Sequence, residues 1–260
     1  MNLLAFDTST ETMSIAVQRT VDGAGQALES PRVWQETAAG GAQTSAHLIP
    51  TIQRLMAQAG LQFGQLDAFV FGCGPGSFTG LRTACAVAQG LAFGVNVPVL
   101  PVDTLLSVAE EARWQHAAAL ETYQVMALLD ARMDEMYAGS YVYSSGQWRQ
   151  IGGYSLICPE DLVYEPGSVL AGNVFAAYGA RLPGPAGAPP APVEAGAGAS
   201  AVTQRIHALP SASAMLRLAP ALLAAGAAVR ADQALPLYIR DKVAKTTVER
   251  AAEKAAALAT

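Results

Sequence analysis

The sequence is poor in charged residues, and the charge that it carries is mostly negative. Charged residues make up 14% of the 260 residues, apolar residues make up 52%, and the net charge is −5. Phosphate recognition usually needs clustered Lys and Arg. The late basic group, Arg240, Lys242, Lys245 and Arg250, is interspersed with acidic residues. The composition therefore argues against a protein that binds nucleic acid by itself.

Cysteines and long apolar runs are also scarce. Cys73, Cys85 and Cys158 form no Cys-x-x-Cys pair and cannot all pair with one another, which favours a reducing compartment. No stretch of about 20 residues stays apolar; Gln89 and Asn96, for example, interrupt residues 84–99. The first residues lack the basic flank and apolar segment of a signal peptide. We expect a cytoplasmic protein without membrane association.

Histidines are too few and too scattered to predict a helical metal site. Such a site commonly places two histidines four residues apart on one helix face. The positions four residues before and after His47 hold Gln43 and Thr51, and neither is a good ligand. His116 and His207 are far away in sequence. We predict no metal and no other cofactor, although distant residues can also combine into a site.

The most informative segment is a glycine-rich turn. It follows the apolar residues 68–71 and precedes the small and aliphatic residues 84–93, an order that predicts a buried strand, a turn and a helix. The turn can hold an anion at the helix N-terminus, or it can be a tight connection with nothing bound. Ser77 or Thr79 can cap the helix. The residues singled out in it are Gly74, Pro75, Gly76, Ser77, Thr79, Gly80 and Arg82.

Two strand–turn–strand patterns suggest an internal duplication. The apolar segment Leu3–Asp7 is followed by a polar turn and by the alternating residues 13–17. The apolar residues 125–129 end at Asp130, and residues 137–143 form the returning strand. The two aspartates lie about half the chain apart. A duplicated hairpin is the simplest explanation of this pattern.

Two helices flank the predicted strand before the glycine turn. The first, over residues 47–59 with Gly60 as its stop, has one apolar stripe at a spacing of 3.6 residues. The second has small residues spaced by four, which permit close approach by a neighbour. Both faces can pack on their own sheet, as most amphipathic helices do, or they can contact another protein. The residues concerned are Leu48, Ile52, Leu55 and Met56 in the first helix and Gly80, Ala84, Ala88 and Ala92 in the second.

The glycine-rich turn also carries a family resemblance. Its sequence, Gly-Pro-Gly-Ser-Phe-Thr-Gly-Leu-Arg over residues 74–82, resembles the signature of the TsaB (YeaZ-like) family, bacterial partner proteins in tRNA threonylcarbamoyladenosine synthesis. Residues 5–10, 128–137 and 237–240 agree with the family in the same order. The resemblance implies an α/β protein with the two-lobed fold of actin, Hsp70 and sugar kinases (the ASKHA fold), in which each lobe has a mixed sheet flanked by helices.

On this basis we divide the chain into an N-terminal lobe with the interface helices, residues 1–104, and a C-terminal lobe, residues 105–240. The second lobe includes a Pro/Gly/Ala-rich loop over residues 183–200. Residues 241–260 are expected to form a tail or a helix.

The resemblance further implies a subunit that does not itself catalyse. TsaB proteins join the catalytic subunit TsaD as a heterodimer and act with the ATPase TsaE. The complex transfers threonylcarbamoyl from threonylcarbamoyl-AMP to the adenosine beside the anticodon of tRNAs that read ANN codons. Because this chain is acidic overall, we expect another subunit to bind the tRNA and this chain to contact it only indirectly. The stripe and the small-residue ridge would pack against equivalent TsaD helices in a four-helix interface. In isolation the same surface could form a homodimer.

Two enzymatic alternatives remain. An ATP-binding, kinase-like enzyme could use Asp7, Asp130, Gly172 and Asn173 as remnants of a nucleotide site, although Asp and Asn after strands also stabilise turns. The turn after the first strand has no basic residue, and the glycine turn lacks the Gly-Lys-Ser/Thr ending of a P-loop. An M22-type glycoprotease-like metallopeptidase would need the paired histidines that TsaD-like proteins carry, and this sequence departs from that pattern.

Overall fold

The computed structural model describes residues 1–21, 26–165, 167–183 and 203–240. The predicted tail over residues 241–260, and all of the predicted loop 183–200 except Pro183, lie outside the described residues. Within the described part of the chain, no helix is both long and apolar enough to cross a bilayer.

The first lobe contains a five-stranded mixed sheet. Its strand order is β3-β2-β1-β4-β5, with β1–β2 and β2–β3 antiparallel and β1–β4 and β4–β5 parallel. The predicted first strand and its hairpin are confirmed. The strands are β1 (Leu3–Asp7), β2 (Thr12–Val21), β3 (Ala27–Ala39), β4 (Ala68–Gly74) and β5 (Val99–Asp103).

The second lobe repeats this topology. Its strand order is β8-β7-β6-β9-β10, and the successive pairs are again antiparallel, antiparallel, parallel and parallel. β6 and β7 form the second predicted hairpin, so the structure confirms the internal duplication. The strands are β6 (Thr122–Arg132), β7 (Glu135–Ser144), β8 (Gln147–Ile157), β9 (Val169–Gly172) and β10 (Gln204–His207).

Helices cover the outer face of the first sheet and fill the space between the two sheets. The α-helices are α1 (Thr44–Ala59), α2 (Phe78–Val95), α3 (Thr104–His116), the single turn α4 (Phe175–Tyr178) and α5 (Ala212–Ala224). α1 ends as predicted at Gly60, whose φ of 63° is in the left-handed region that favours glycine.

Alternation along the first sheet assigns its two faces to different helices. Leu4 and Phe6 belong to the cluster that packs against α1 and α2, whereas Leu3 and Ala5 belong to the cluster that packs against α5. Successive side chains of a strand point to opposite faces, so both faces of this sheet are apolar because both are covered.

The sequence-based division into lobes needs a correction after β10. α5 packs on β1, β2, β4 and β5 of the first sheet, and Ala234 belongs to the cluster around α2. The second lobe proper therefore ends near Ala208, and the chain then returns to the first lobe. The apolar residues of α5 do not show in the sequence which sheet they cover, so the sequence alone places residues 105–240 in one lobe.

The predicted partner-contact residues also need a correction. All eight residues of the stripe and the ridge are buried in the isolated chain, and the seven that carry a side chain are no more than 3% exposed. The apolar stripe of α1 and the small-residue ridge of α2 face the first sheet, and the small residues let α2 lie close to it. These residues, Leu48, Ile52, Leu55, Met56, Gly80, Ala84, Ala88 and Ala92, are core residues and do not form a contact surface.

A buried ionic network fastens the two lobes at their base, where α3 and α5 meet. Glu110 of α3 accepts hydrogen bonds from Arg113 Nε at 3.1 Å, Trp148 Nε1 at 3.0 Å and Arg217 Nε at 2.8 Å. Only 3% of the Glu110 side chain is exposed. Because Trp148 lies on β8 and Arg217 on α5, this one carboxylate ties the second sheet to the helices on the first.

Candidate functional site

The candidate site is the cleft between the two lobes. The first hairpin turn, the glycine-rich turn, the β6–β7 turn and a segment near residue 240 meet around a cavity of about 370 Å³. This is a size typical of small-molecule sites. The lining residues are Ser9, Thr10, Glu11, Gly76, Ser77, Phe78, Leu129, Asp130, Ala131, Arg132, Met133, Tyr137, Asn173, Leu237, Tyr238, Ile239 and Arg240.

The glycines of the turn are explained by close packing within the chain. A Cβ on Gly80 would lie 1.8 Å from the carbonyl oxygen of Thr8, and a Cβ on Gly76 would lie 2.6 Å from Cβ of Ser9. The Thr8 hydroxyl donates a hydrogen bond of 2.7 Å to the Gly80 carbonyl. The turn is therefore built to receive the first hairpin, and only Gly76, Ser77 and Phe78 of the turn region line the cleft.

The first hairpin turn also contacts the N-terminus of α2. Ser77 occupies the N-cap position, but its side chain does not make the predicted capping hydrogen bond. Its backbone N–H donates to the Ser9 carbonyl at 2.7 Å. Of the two interpretations of this turn, the tight connection fits the contacts better than the anion site, because the neighbouring hairpin fills the space at Gly76 and Gly80.

Asp7 does not face the cleft. Its side chain is fully buried, and Oδ1 accepts hydrogen bonds from Ser9 N at 2.9 Å and Ser9 Oγ at 2.7 Å. Oδ2 is buried without a hydrogen-bond partner. Burial raises the pKa of Asp7 to about 6, and the Ser9 hydrogen bonds oppose the rise. Asp7 therefore does not line the cleft, and its assignment to a nucleotide site stays a prediction.

Asp130 and Asn173, two of the residues proposed as remnants of a nucleotide site, lie together at the cleft. The Asp130 N–H donates to Asn173 Oδ1 at 2.9 Å, and Asp130 Oδ1 accepts from Tyr178 OH at 2.9 Å. Gly172 lies behind them: a Cβ there would lie 1.7 Å from the Leu128 carbonyl, so the residue allows β9 to approach β6. The structure thus gives Gly172 a packing role and leaves Asp130 and Asn173 as cleft residues.

Residues 237–240 cross between the lobes, and this was missed in the sequence. The Leu237 N–H donates to the Cys73 carbonyl at 2.7 Å in the first lobe, and Arg240 forms an ion pair with Glu135 in the second. Tyr238 stacks on Phe78 with ring centroids 5.2 Å apart. We call residues 237–240 the crossing segment. In the sequence, Tyr238 stands out only through the family resemblance, and Arg240 also as part of the late basic group.

Arg82 of the glycine-rich turn supports this crossing. Its guanidinium lies 4.0 Å from the centroid of the Phe78 ring, and its Nε donates to Tyr238 OH at 3.1 Å. Cation–π contact and hydrogen bonding together orient the Arg82 side chain over the crossing segment. Arg82 is therefore held by the chain itself and does not line the cavity.

Acidic and tyrosine side chains also meet between the sheets, at the end of β5. Asp103 caps α3 by accepting from Leu105 N at 2.9 Å, and its other oxygen accepts from Tyr141 OH of β7. Burial raises the pKa of Asp103 to about 6, while the Tyr141 hydrogen bond opposes the rise. Burial, with Asp103 nearby, raises the pKa of the Cys73 thiol to about 12. Such a thiol is protonated and unreactive at neutral pH.

In the part of the chain that the structure describes, no three His, Cys, Asp or Glu side chains are grouped as metal ligands would be. The charged residues that line the cleft are two acids, Glu11 and Asp130, and two arginines, Arg132 and Arg240. Both arginines are engaged in ion pairs with carboxylates.

Two duplicated mixed sheets, with a hairpin turn from each lobe facing a shared cleft, define the actin-like (ASKHA) class of α/β proteins. Within that class, residues 38–248 match the family model described as "TsaD: tRNA N6-adenosine threonylcarbamoyltransferase". The chain belongs to the TsaB (YeaZ) family, which is related to TsaD.

The relatives and structures that support this membership cover most of the chain. The tRNA threonylcarbamoyladenosine biosynthesis protein TsaB of Haemophilus influenzae is 34% identical over 68% of this chain and 74% of its own length. The Escherichia coli protein of the same name is 32% identical over 94% and 96%. YeaZ from Pseudomonas aeruginosa superposes with a TM-score of 0.73 at 33% identity, covering 92% of this chain and 99% of its own. Family membership gives the chain a role in tRNA threonylcarbamoyladenosine biosynthesis.

Proposed function

We propose that this protein is a non-catalytic subunit that binds TsaD, with TsaE as a further partner, and supports transfer of threonylcarbamoyl to the adenosine beside the anticodon. It would act in the cytoplasm and would contact tRNA only through its partners. The proposal starts from family membership, and the outer surface of α1 and α2 supports it.

That outer surface is the face of the two helices opposite the buried stripe and ridge. On α2, Ala86, Gly90 and Gly94 are exposed at a spacing of four residues, and a Cβ on either glycine would have nothing within 4 Å. Phe93, on the same side, is 80% exposed. On α1, Ile49, at the edge of the buried stripe, is 41% exposed. A bare helix ridge beside an exposed aromatic ring is suited to close packing by another helix.

This surface replaces the contact predicted from the sequence. The four-helix arrangement implied by the resemblance still uses α1 and α2, but through their outward residues. Because Ala84 and Ala88 are fully buried, large substitutions there would test folding and not partner binding. Gly90 offers the sharper test, since an added side chain meets no atom of the monomer.

The non-catalytic part of the proposal is supported by the contacts of the candidate catalytic residues. Asp7 is buried, is hydrogen-bonded to Ser9 and packs against the backbone at Gly72. Thr8 and Ser9 pack closely against Gly80 and Gly76 of the glycine-rich turn. An ATPase or kinase that worked through Asp7 would need this carboxylate open to the cleft. We therefore do not favour the kinase-like alternative.

Co-elution with TsaD tests the partner assignment. The Gly90→Trp variant should stay folded but lose co-elution with TsaD in gel filtration. Gly153→Trp is the matched control, because Gly153 is also exposed with open space at its Cβ but lies on β8 of the other lobe. Equal retention of TsaD by both variants would contradict the assignment of this surface.

A further inference from the structure

The turn between β6 and β7 has an unusual backbone. Arg132, Met133 and Asp134 all have positive φ angles, of 61°, 57° and 59°. In this left-handed region Cβ comes close to the following carbonyl, so residues other than glycine occupy it mostly one at a time. Strain of this kind persists only where surrounding contacts impose it, and it is concentrated at binding and switching sites.

Contacts on both sides of the turn impose this conformation. Asp130 Oδ1 accepts from the Arg132 N–H at 2.8 Å, and Arg181 Nη1 donates to Asp134 Oδ1 at 2.7 Å. From the crossing segment, Arg240 Nη2 donates to the Arg132 carbonyl at 3.2 Å. Arg240 also pairs with Glu135, at the start of β7. The turn is thus held by its own lobe and by a segment that comes from the other lobe.

The turn also reaches across the cleft. Arg132 Nη2 lies 2.5 Å from Oε1 of Glu11, which belongs to the first hairpin turn. Both side chains are largely exposed, at 63% and 74%. An ion pair in water is weak and sensitive to salt, so this bridge differs from the buried Glu110 network at the base of the lobes.

The interlobe contact therefore has the buried Glu110 network at its base, and at its mouth the exposed Arg132–Glu11 pair beside the less exposed Arg240–Glu135 pair. We propose that the strained β6–β7 turn, Arg132–Asp134, is a latch: together with Glu11 and Arg240 it holds the lobes closed at the mouth of the cleft, and its release lets the cleft open about the α3–α5 base. The inference does not depend on the identity of any partner.

The distance between two spin labels across the mouth tests this latch in the full chain. Cys158 is exposed, follows β8 and lies next to Ile157, which pairs with Met136 beside the turn. A second label is placed on Thr79→Cys, which is exposed at the start of α2. Labelling of the protein without Thr79→Cys checks that Cys73 and Cys85 stay unmodified.

Pulsed electron–electron double resonance then measures the distance between the two labels in three proteins. They are the doubly labelled parent (Cys158 and Thr79→Cys), the same protein with Glu11→Gln, and the same protein with Glu11→Gln and Arg240→Ala. We expect one short, narrow distance distribution in the parent, and a longer and broader one in both variants. The matched control is Glu36→Gln, which removes an exposed ion pair with Arg54 inside the first lobe and should leave the distribution unchanged. Glu11→Gln alone perturbs only an exposed side chain, so it remains informative if the double variant folds poorly.

Two results would overturn the proposal. One is an identical distance distribution in the parent, Glu11→Gln and the double variant. The other is a shift in Glu36→Gln as large as that in Glu11→Gln, since the change would then not come from the mouth of the cleft.

Discussion

Asp7 and Gly72 lie side by side on the neighbouring strands β1 and β4, and a Cβ built on Gly72 would fall 1.8 Å from Asp7 Oδ2. The absence of a side chain at position 72 is what leaves room for a fully buried carboxyl group. Met215 Cε of α5, 3.0 Å from the same point, covers the pair from the other side. The first-lobe aspartate of this two-lobed fold is thus enclosed by its own chain.

Gly72→Ala should strongly destabilise the protein. The added methyl group would overlap a carboxylate that is fixed by Ser9, so we expect a loss of about 3 kcal/mol in the free energy of unfolding. Gly90→Ala is the control, since its Cβ meets open space inside a helix and should stabilise by about 0.5–1 kcal/mol. Urea denaturation of both variants measures the difference. Similar stabilities for the two would contradict the packing described at Gly72.

Asp7→Asn should change how stability depends on pH. Burial raises the pKa of Asp7 from its usual 3.8 to about 6 in the folded state. The stability that this group contributes is therefore fully present below pH 3.8 and is lost as the pH rises through 6. The shift corresponds to about 3 kcal/mol.

Asparagine keeps the acceptor for Ser9 but cannot ionise, so the free energy of unfolding of Asp7→Asn relative to the parent should increase from pH 4.5 to pH 8. Denaturation curves at pH 4.5, 6 and 8 measure this trend. A difference that is constant across this range would show that the carboxyl does not titrate as described.

Glu110→Ala should be far more damaging than the loss of a surface ion pair. It would leave the Arg113 guanidinium without its ion-pair partner and Arg217 with Glu111 alone, and removal of one member of a buried pair typically costs about 3–5 kcal/mol. Asp232→Ala removes the exposed pair with Arg230 and should change the stability little, because solvent and salt screen such a pair. Thermal denaturation of both variants tests the contrast, and equal losses would contradict a structural role for the Glu110 network.

Met133→Gly should be more stable than Met133→Ala. Both variants remove the same side chain, which is 72% exposed, but only glycine relieves a Cβ in the left-handed region. We expect a difference of about 1 kcal/mol in favour of glycine. If alanine is equally stable, the turn is not strained in solution. The comparison uses chemical denaturation at one pH and salt concentration.

The strands and their duplication could be predicted because they depend on local patterns. The apolar runs that end at Asp7 and at Asp130 are each followed by a polar turn and a returning strand. The two sheets that contain these hairpins have the same topology. The stop of α1 was equally local, since Gly60 alone supplies the left-handed residue there.

The direction in which each helix faces could not be predicted in the same way. A stripe such as Leu48 and Ile52 shows that one side of α1 is covered, but not whether a sheet or another protein covers it. The burial of Asp7 and the passage of Arg240 to Glu135 depend on contacts between residues more than 60 positions apart. Neither leaves a periodic signal in the sequence.

The most direct test of the proposed function is reconstitution of the transfer reaction. Purified TsaD, TsaE, tRNA and threonylcarbamoyl-AMP are combined with and without this chain, and threonylcarbamoyladenosine is measured in the tRNA. We expect product only when the chain is present together with TsaD, none from the chain alone, and a large loss with Gly90→Trp but not with Gly153→Trp. Product formed by the chain without TsaD, or full activity of TsaD and TsaE without the chain, would contradict a non-catalytic partner subunit.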